Sequence, residues 1–176
     1  TGKRLWQHVP TEGSDFNVTT PLIHDGHLLL ATENNATRLH KFSENGILVD
    51  KPTMVNLDLA PDTCSPIIVG DRGFATAYGE MYCLDLKNNM KTVWVKQDDM
   101  FYDHSNLIGG NGRVLVWTQS GDLLLLDAAA DKFTPLQRLR PFGDVEVDSM
   151  SHPAIVGDRL YLRGPNQLDC LKLSGD

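Results

Sequence analysis

The chain has 176 residues, of which 41% are hydrophobic and 22% charged, a composition that supplies a packed core and excludes global disorder. Sixteen Lys and Arg against 23 Asp and Glu leave a net charge of −7, which argues against nucleic acid or an anionic membrane surface as the main partner. The longest apolar runs, such as Leu28–Ala31 and Leu123–Leu126, fall far short of the roughly 20 residues that span a bilayer, so no membrane insertion is expected.

The chain opens on Thr1-Gly2-Lys3-Arg4-Leu5-Trp6 with neither Met nor an apolar leader, which reads as a processed product or an excised segment. Beyond it the turn dipeptides Gly26-His27, Asp71-Arg72, Gly112-Arg113 and Asp158-Arg159 recur at spacings of 45, 41 and 46 residues, the length of a propeller blade. Each unit begins with a polar residue and a short apolar strand, usually led by Pro: Thr20-Pro21-Leu22-Ile23, Ser65-Pro66-Ile67, Asn106-Leu107-Ile108 and His152-Pro153-Ala154. Pro is tolerated as the first residue of a strand because its missing N–H breaks no ladder there. After the turn a second strand follows, as in Leu28–Ala31, Gly73–Ala77, Val114–Trp117 and Leu160–Leu162. Third strands are read at Met81–Leu86, Leu123–Asp127 and Gln167–Leu173, and fourth strands at Thr92–Val95 and Leu136–Leu139. No window sustains a helical period.

The expected fold is therefore all-β, a β-propeller of four-stranded antiparallel blades with about four blades in this chain. Blade 1 covers about 17–60, blade 2 about 62–97, blade 3 about 103–140, and blade 4 about 149–176. The last unit stops at Ser174-Gly175-Asp176 where a fourth strand is due, and Thr1–Trp6 matches the turn and fourth strand of a unit. Residues 1–7 are thus expected to complete blade 4 and latch a ring shut, which removes its open edges.

These residues resemble the repeat of the PQQ-like β-propeller family, which runs Ser-Pro-x-x-x-Asp-Gly-x-x-Tyr, Gly-x-Leu-x-x-Leu-Asp, Thr-Gly-Lys-x-Leu-Trp. The likeness rests on Thr1–Trp6, Ser65-Pro66, Leu84-Asp85, Gly121-Asp122-Leu123, Leu126-Asp127 and Ser151–Tyr161, and it covers essentially the whole chain. The family includes quinoprotein dehydrogenases and BamB-type scaffold lipoproteins of outer-membrane assembly. The resemblance implies a periplasmic or secreted protein and a ring of seven or eight blades. Since four fit here, the chain resembles the C-terminal half of a longer propeller. A four-bladed ring, or a homodimer forming an eight-bladed one, are the alternatives.

The enzyme branch of the resemblance implies PQQ held between a tryptophan and a vicinal disulfide, with Ca²⁺ beside it. The sequence has no adjacent cysteines, and Trp6 and Trp94 match the structural tryptophan packed between blades. No cofactor is expected within this segment, and PQQ with Ca²⁺ enters only if its ligands lie outside it. Cys64, Cys83 and Cys170 are far apart and read as buried thiols. Asp85 and Asp127 share one repeat position, so each is expected to cap its own turn rather than serve as an acid or base. His24 and His27 flank a turn, with no HxH or HExxH spacing that would spell out a metal site.

Thr20, Ser65, Asn106 and His152 align at the entry of the innermost strands, and Asp62, Asp103 and His104 lie close to them in sequence. Convergent polar groups at a channel mouth suit a small polar ligand or an ion, while capping of strand ends and channel water explain the same residues. Tyr78, Phe101-Tyr102 and Pro141-Phe142 offer an apolar interaction patch. The expected function is a non-catalytic scaffold or binding module for a protein or peptide partner. The alternative is part of a PQQ-dependent dehydrogenase.

Overall fold

The computed structural model describes residues 2–145 and 147–173. Thr1 and Ser174–Asp176, on which the two ends of the expected latch partly fall, lie outside the described residues. Among the described residues fifteen strands form four antiparallel sheets, each a meander in chain order. Blade 1 is β1 (Leu22–His24), β2 (His27–Thr32), β3 (Ala36–Lys41) and β4 (Met54–Asn56). Blade 2 is β5 (Ile67–Val69), β6 (Arg72–Ala77), β7 (Glu80–Asp85) and β8 (Lys91–Gln97). Blade 3 is β9 (Ser105–Gly110), β10 (Arg113–Thr118), β11 (Leu123–Asp127) and β12 (Pro135–Leu139). Blade 4 has three strands among the described residues, β13 (Ala154–Val156), β14 (Arg159–Arg163) and β15 (Leu168–Lys172).

The first hairpin of each blade is tight because its turn residues accept a left-handed backbone. Asn111 and Gly112 have φ of 49° and 68°, the two positive angles of a type I′ turn, whose twist matches that of the strands it joins. The third and fourth strands of blades 2 and 3 slip register at one repeat position, between Cys83 and Leu84 and between Leu125 and Leu126. The shared irregularity twists the outer strand of both blades alike.

Packing decides how each strand reads. In blade 2, β6 is buried on both faces, Phe74 and Thr76 on one and Ala75 and Ala77 on the other, because blades lie on either side of it. In blade 4, β14 alternates instead: Leu160 and Leu162 are fully buried against blade 3, whereas Arg159 and Arg163 on the opposite face are exposed. Between blades 2 and 3 the innermost strands nearly touch. A Cβ on Gly109 of β9 would come within 2.6 Å of Val69 Cγ2, so only glycine lets the backbones approach this closely.

The blades form an open arc. Ile23 on blade 1 and Val156 on blade 4 remain 62% and 64% exposed, and no strand occurs in residues 2–21. Within the described part of the expected latch, Trp6 lies against Phe42 of blade 1, with ring centroids 6.0 Å apart, and His8 packs edge-on against His40. Cys170 departs from expectation. Cys64 and Cys83 are buried, but Cys170, the repeat equivalent of Cys83, is exposed because no blade covers its face.

Candidate functional site

Strand polarity brings distant residues to one end of the arc. The entry of each innermost strand, the turn between second and third strands, and the connection into the next blade all lie there. At this mouth Thr20 N–H donates to Ser65 Oγ at 2.9 Å and Ser65 Oγ donates to Thr20 Oγ1 at 3.3 Å, so the two residues clasp blades 1 and 2. Asn106 Nδ2 donates to the carbonyls of Met150 and Ser151 at 3.3 and 3.4 Å, clasping blades 3 and 4 in the same way. His152 Nδ1 donates to its neighbour's carbonyl, Pro153 O, at 3.1 Å. His104 exchanges bonds with Gln119, its N–H donating to Oε1 at 3.3 Å and its carbonyl accepting from the Gln119 N–H at 2.8 Å. Asp103 opens onto a shallow cavity of about 310 Å³ with Gln119, Arg140, Asp144 and Asp148. Of the aligned polar residues, Thr20 and Ser65 are thus joined directly, Asn106 reaches only the backbone preceding His152, and among the described residues no hydrogen bond joins Asn106 to His152 or either of them to Thr20 or Ser65.

Two residues absent from the aligned set are prominent at the same mouth. Tyr78 OH donates to Glu33 Oε1 at 2.8 Å across the first blade junction. Lost hydration, then Glu33 and the more distant Asp62 and Asp15, push the Tyr78 hydroxyl up to about 12. The rings of Tyr78 and Tyr102 nevertheless remain 58% and 75% exposed. Of the aromatic patch expected from sequence, Phe101 and Phe142 are buried and only these tyrosines face outward. Tyr102 follows a short 3-10 turn, Asp99–Phe101, capped by the Asp98 carboxylate, and its ring lies beside Gly79. The signal for the Glu33–Tyr78 pair was present in the sequence: the two are 45 residues apart, one repeat, as are Thr20 and Ser65.

Several carboxylates at the mouth have no ion-pair partner. Glu33, Asp62, Asp99 and Asp103 form no ion pair among the described residues. Asp122, only 5% exposed, is the exception that proves structural: its Oδ1 accepts from Arg138 Nε at 3.0 Å and holds the outer strand of blade 3. At the opposite end the acids cap turns and pair. Asp85 Oδ1 accepts from the N–H groups of Lys87 and Asn88, both at 3.1 Å, and Asp127 Oδ1 accepts from Ala129 N–H at 3.0 Å, as their shared repeat position implied. His24, Asp25 and Asp71 also gather there with ligand atoms within 4.8 Å, but Lys87 Nζ already lies 2.8 Å from Asp71 and supplies the positive charge a cation would bring.

The interior thiols are unreactive by placement: burial pushes both Cys64 and Cys83 up to about 11. Trp94 spans a blade junction as expected, donating from Nε1 to Ala130 O at 3.2 Å and meeting Phe133 edge-on at 5.7 Å. Among the described residues no helix is long and apolar enough to cross a membrane.

No protein-family model matches the sequence, and no curated protein matches it. Solved structures match in fold. BamB from Moraxella catarrhalis superposes with a TM-score of 0.62 at 14% identity, over 86% of this chain and 41% of that one. AztD from Citrobacter koseri, in its apo form, gives 0.62 at 14% identity, over 87% and 43%. The computationally designed protein Ika8 gives 0.59 at 8% identity, over 87% and 45%. The likeness shows the fold, the antiparallel blades of a β-propeller. The chain spans less than half the length of each of these neighbours.

Proposed function

We propose that the chain is a non-catalytic propeller binding module whose mouth receives a basic, extended segment of a protein partner. The observation that carries this reading is the unpaired rim of Glu33, Asp62, Asp99 and Asp103 around the exposed rings of Tyr78 and Tyr102. Carboxylates accept charge-assisted hydrogen bonds from Lys and Arg, and a tyrosine face attracts the same cations. The rim loops are held by rigid blades, so little ordering opposes binding. The periplasmic or secreted compartment implied by the resemblance belongs to this reading.

Calorimetric titration with an arginine-rich peptide tests it. Binding should weaken as salt rises, and Glu33→Gln with Asp62→Asn and Asp103→Asn should reduce affinity by about tenfold or more. A glutamate-rich peptide should give no heat. Equal affinity of the wild type and the triple variant would overturn the assignment of the site, and oxidation of alcohols or sugars with PQQ and Ca²⁺ supplied would overturn the non-catalytic reading.

A further inference from the structure

We infer that Tyr78 sets the specificity of the mouth: its exposed ring face takes the guanidinium of an arginine in the partner and discriminates against lysine. This builds on the basic-segment reading and names the side chain that the site selects. The observation behind it is a tyrosine where the backbone favours a small residue.

The second and third strands of blade 2 are joined by two residues only, Tyr78 and Gly79, between the paired Ala77 and Glu80. So short a connection follows the twist of its strands when both residues are left-handed, and their φ are 50° and 84°. The chain makes a turn of the same kind twice at its hairpin end, with Asp25-Gly26 at 46° and 72° and Asn111-Gly112 at 49° and 68°. Asp and Asn tolerate that conformation because their short polar side chains bond locally, whereas a bulky side chain is strained in it. Blade 3 avoids the strain at the equivalent connection by using four residues, 119–122, of which only Gly121 is left-handed.

Local contacts return little for that strain. The Tyr78 ring lies largely in solvent, and its hydroxyl bond to Glu33 Oε1 at 2.8 Å is at the surface, where water offers the same interaction. What the contacts do is hold the ring still. The backbone beside it is tied to the segment before blade 3, Gly79 N–H donating to Phe101 O at 3.2 Å and Asp98 N–H to Gly79 O at 3.0 Å, while the hydroxyl end is tied to blade 1 through Glu33. Tyr102 has an ordinary helical φ of −67° and carries no such strain; its ring adds a second exposed aromatic face beside this turn, with Cδ2 3.6 Å from where a Cβ on Gly79 would stand. Strain kept at an exposed, immobilised ring marks a side chain held for contact outside the chain.

A tyrosine face fixed at both ends is a platform for a planar cation. Guanidinium is flat, delocalised and weakly hydrated, so it stacks on the ring and still directs N–H groups sideways to Glu33 Oε2, the carboxylate oxygen that Tyr78 does not use. The lysine ammonium is a compact, strongly hydrated charge with no face to lay on the ring. Arginine therefore gains from the fixed ring more than lysine does.

Calorimetric titration with two peptides of one sequence, the basic positions all arginine in one and all lysine in the other, reads the preference at fixed salt. The wild type should bind the arginine peptide about fivefold more tightly. Tyr78→Asn should bring the arginine peptide to within about twofold of the lysine peptide, and should melt at or above the wild-type temperature because asparagine relieves the strain. Tyr78→Phe, which keeps the ring, should keep the preference for arginine. Equal affinity of the wild type for the two peptides, a preference that survives in Tyr78→Asn, its loss in Tyr78→Phe, or a lower melting temperature of Tyr78→Asn would each overturn the inference and leave the basic-segment reading standing. Heat from neither peptide would overturn both.

Discussion

The two ends of the blades are built from the same repeat and differ in how they treat charge. At the hairpin end, acids are spent on structure: Asp85 and Asp127 cap turns, Asp71 pairs with Lys87, and Asp131 pairs with Arg72. At the mouth, Asp122 is tied to Arg138, Asp98 caps the 3-10 turn and lies 3.6 Å from Lys96, and Asp144 lies 3.7 Å from Arg140, whereas Glu33, Asp62, Asp99 and Asp103 have no ion-pair partner among the described residues. Stability needs carboxylates satisfied locally, and such groups are poor binding elements because a ligand must first displace their partners. The end whose charges are unmatched is the end free to recognise something.

Changes to the shared interior should cost most and should not distinguish the ends. Trp94→Ala removes an indole that fills a blade junction and leaves Ala130 O without its side-chain donors' full complement, so a loss of about 3–5 kcal/mol is expected in denaturant titration. At the mouth, Asp122→Ala strips a buried acceptor from Arg138 and should cost about 1–3 kcal/mol. At the hairpin end, Arg72→Ala should cost about 1–2 kcal/mol, mostly through the carbonyl bond, since the Asp131 side chain is 88% exposed and its ion pair is screened. Glu33→Gln should leave stability nearly unchanged but lower the Tyr78 ionisation toward its ordinary value near 10, which ultraviolet titration reads directly.

The strap over blade 1 adds a pH dependence. Burial lowers the His40 pKa below its ordinary 6.5, with His8 and Arg38 adding to the shift and the Val49 carbonyl and Asp50 opposing it. A lowered folded value means that the unfolded chain binds the proton more readily. The stabilisation is present above about pH 6.5 and is lost as pH falls through the folded value. Mild acid should therefore lower the melting temperature, and His40→Phe should flatten that slope.

Much of the fold was legible because a repeat repeats its physics. The period of the turns led to an all-β fold of antiparallel sheets, the shared position of Asp85 and Asp127 identified them as caps, and Trp94 matched the tryptophan that packs between blades. The place of the N-terminal segment was not legible, because it carries the motif of an outer strand without saying whose sheet it borders. That depends on whether the arc closes, which no local pattern encodes. Cys170 was misread for the same reason, since its identity matches Cys83 and only the absent neighbour differs. Asp62 and Asp103 were singled out from sequence beside the innermost strand entries, while Glu33 and Asp99 escaped notice because they fall outside those aligned positions, although Glu33 and Tyr78 stand one period apart and a search at that spacing would have paired them.

The central claim is that recognition belongs to the mouth. Amide hydrogen exchange with and without the arginine-rich peptide tests it most directly. The account predicts slowed exchange in the loops around Glu33, Asp62, Tyr78 and Asp103, with the hairpin turns at Gly26, Gly70 and Gly112 unchanged. Protection confined to those hairpin turns would contradict it.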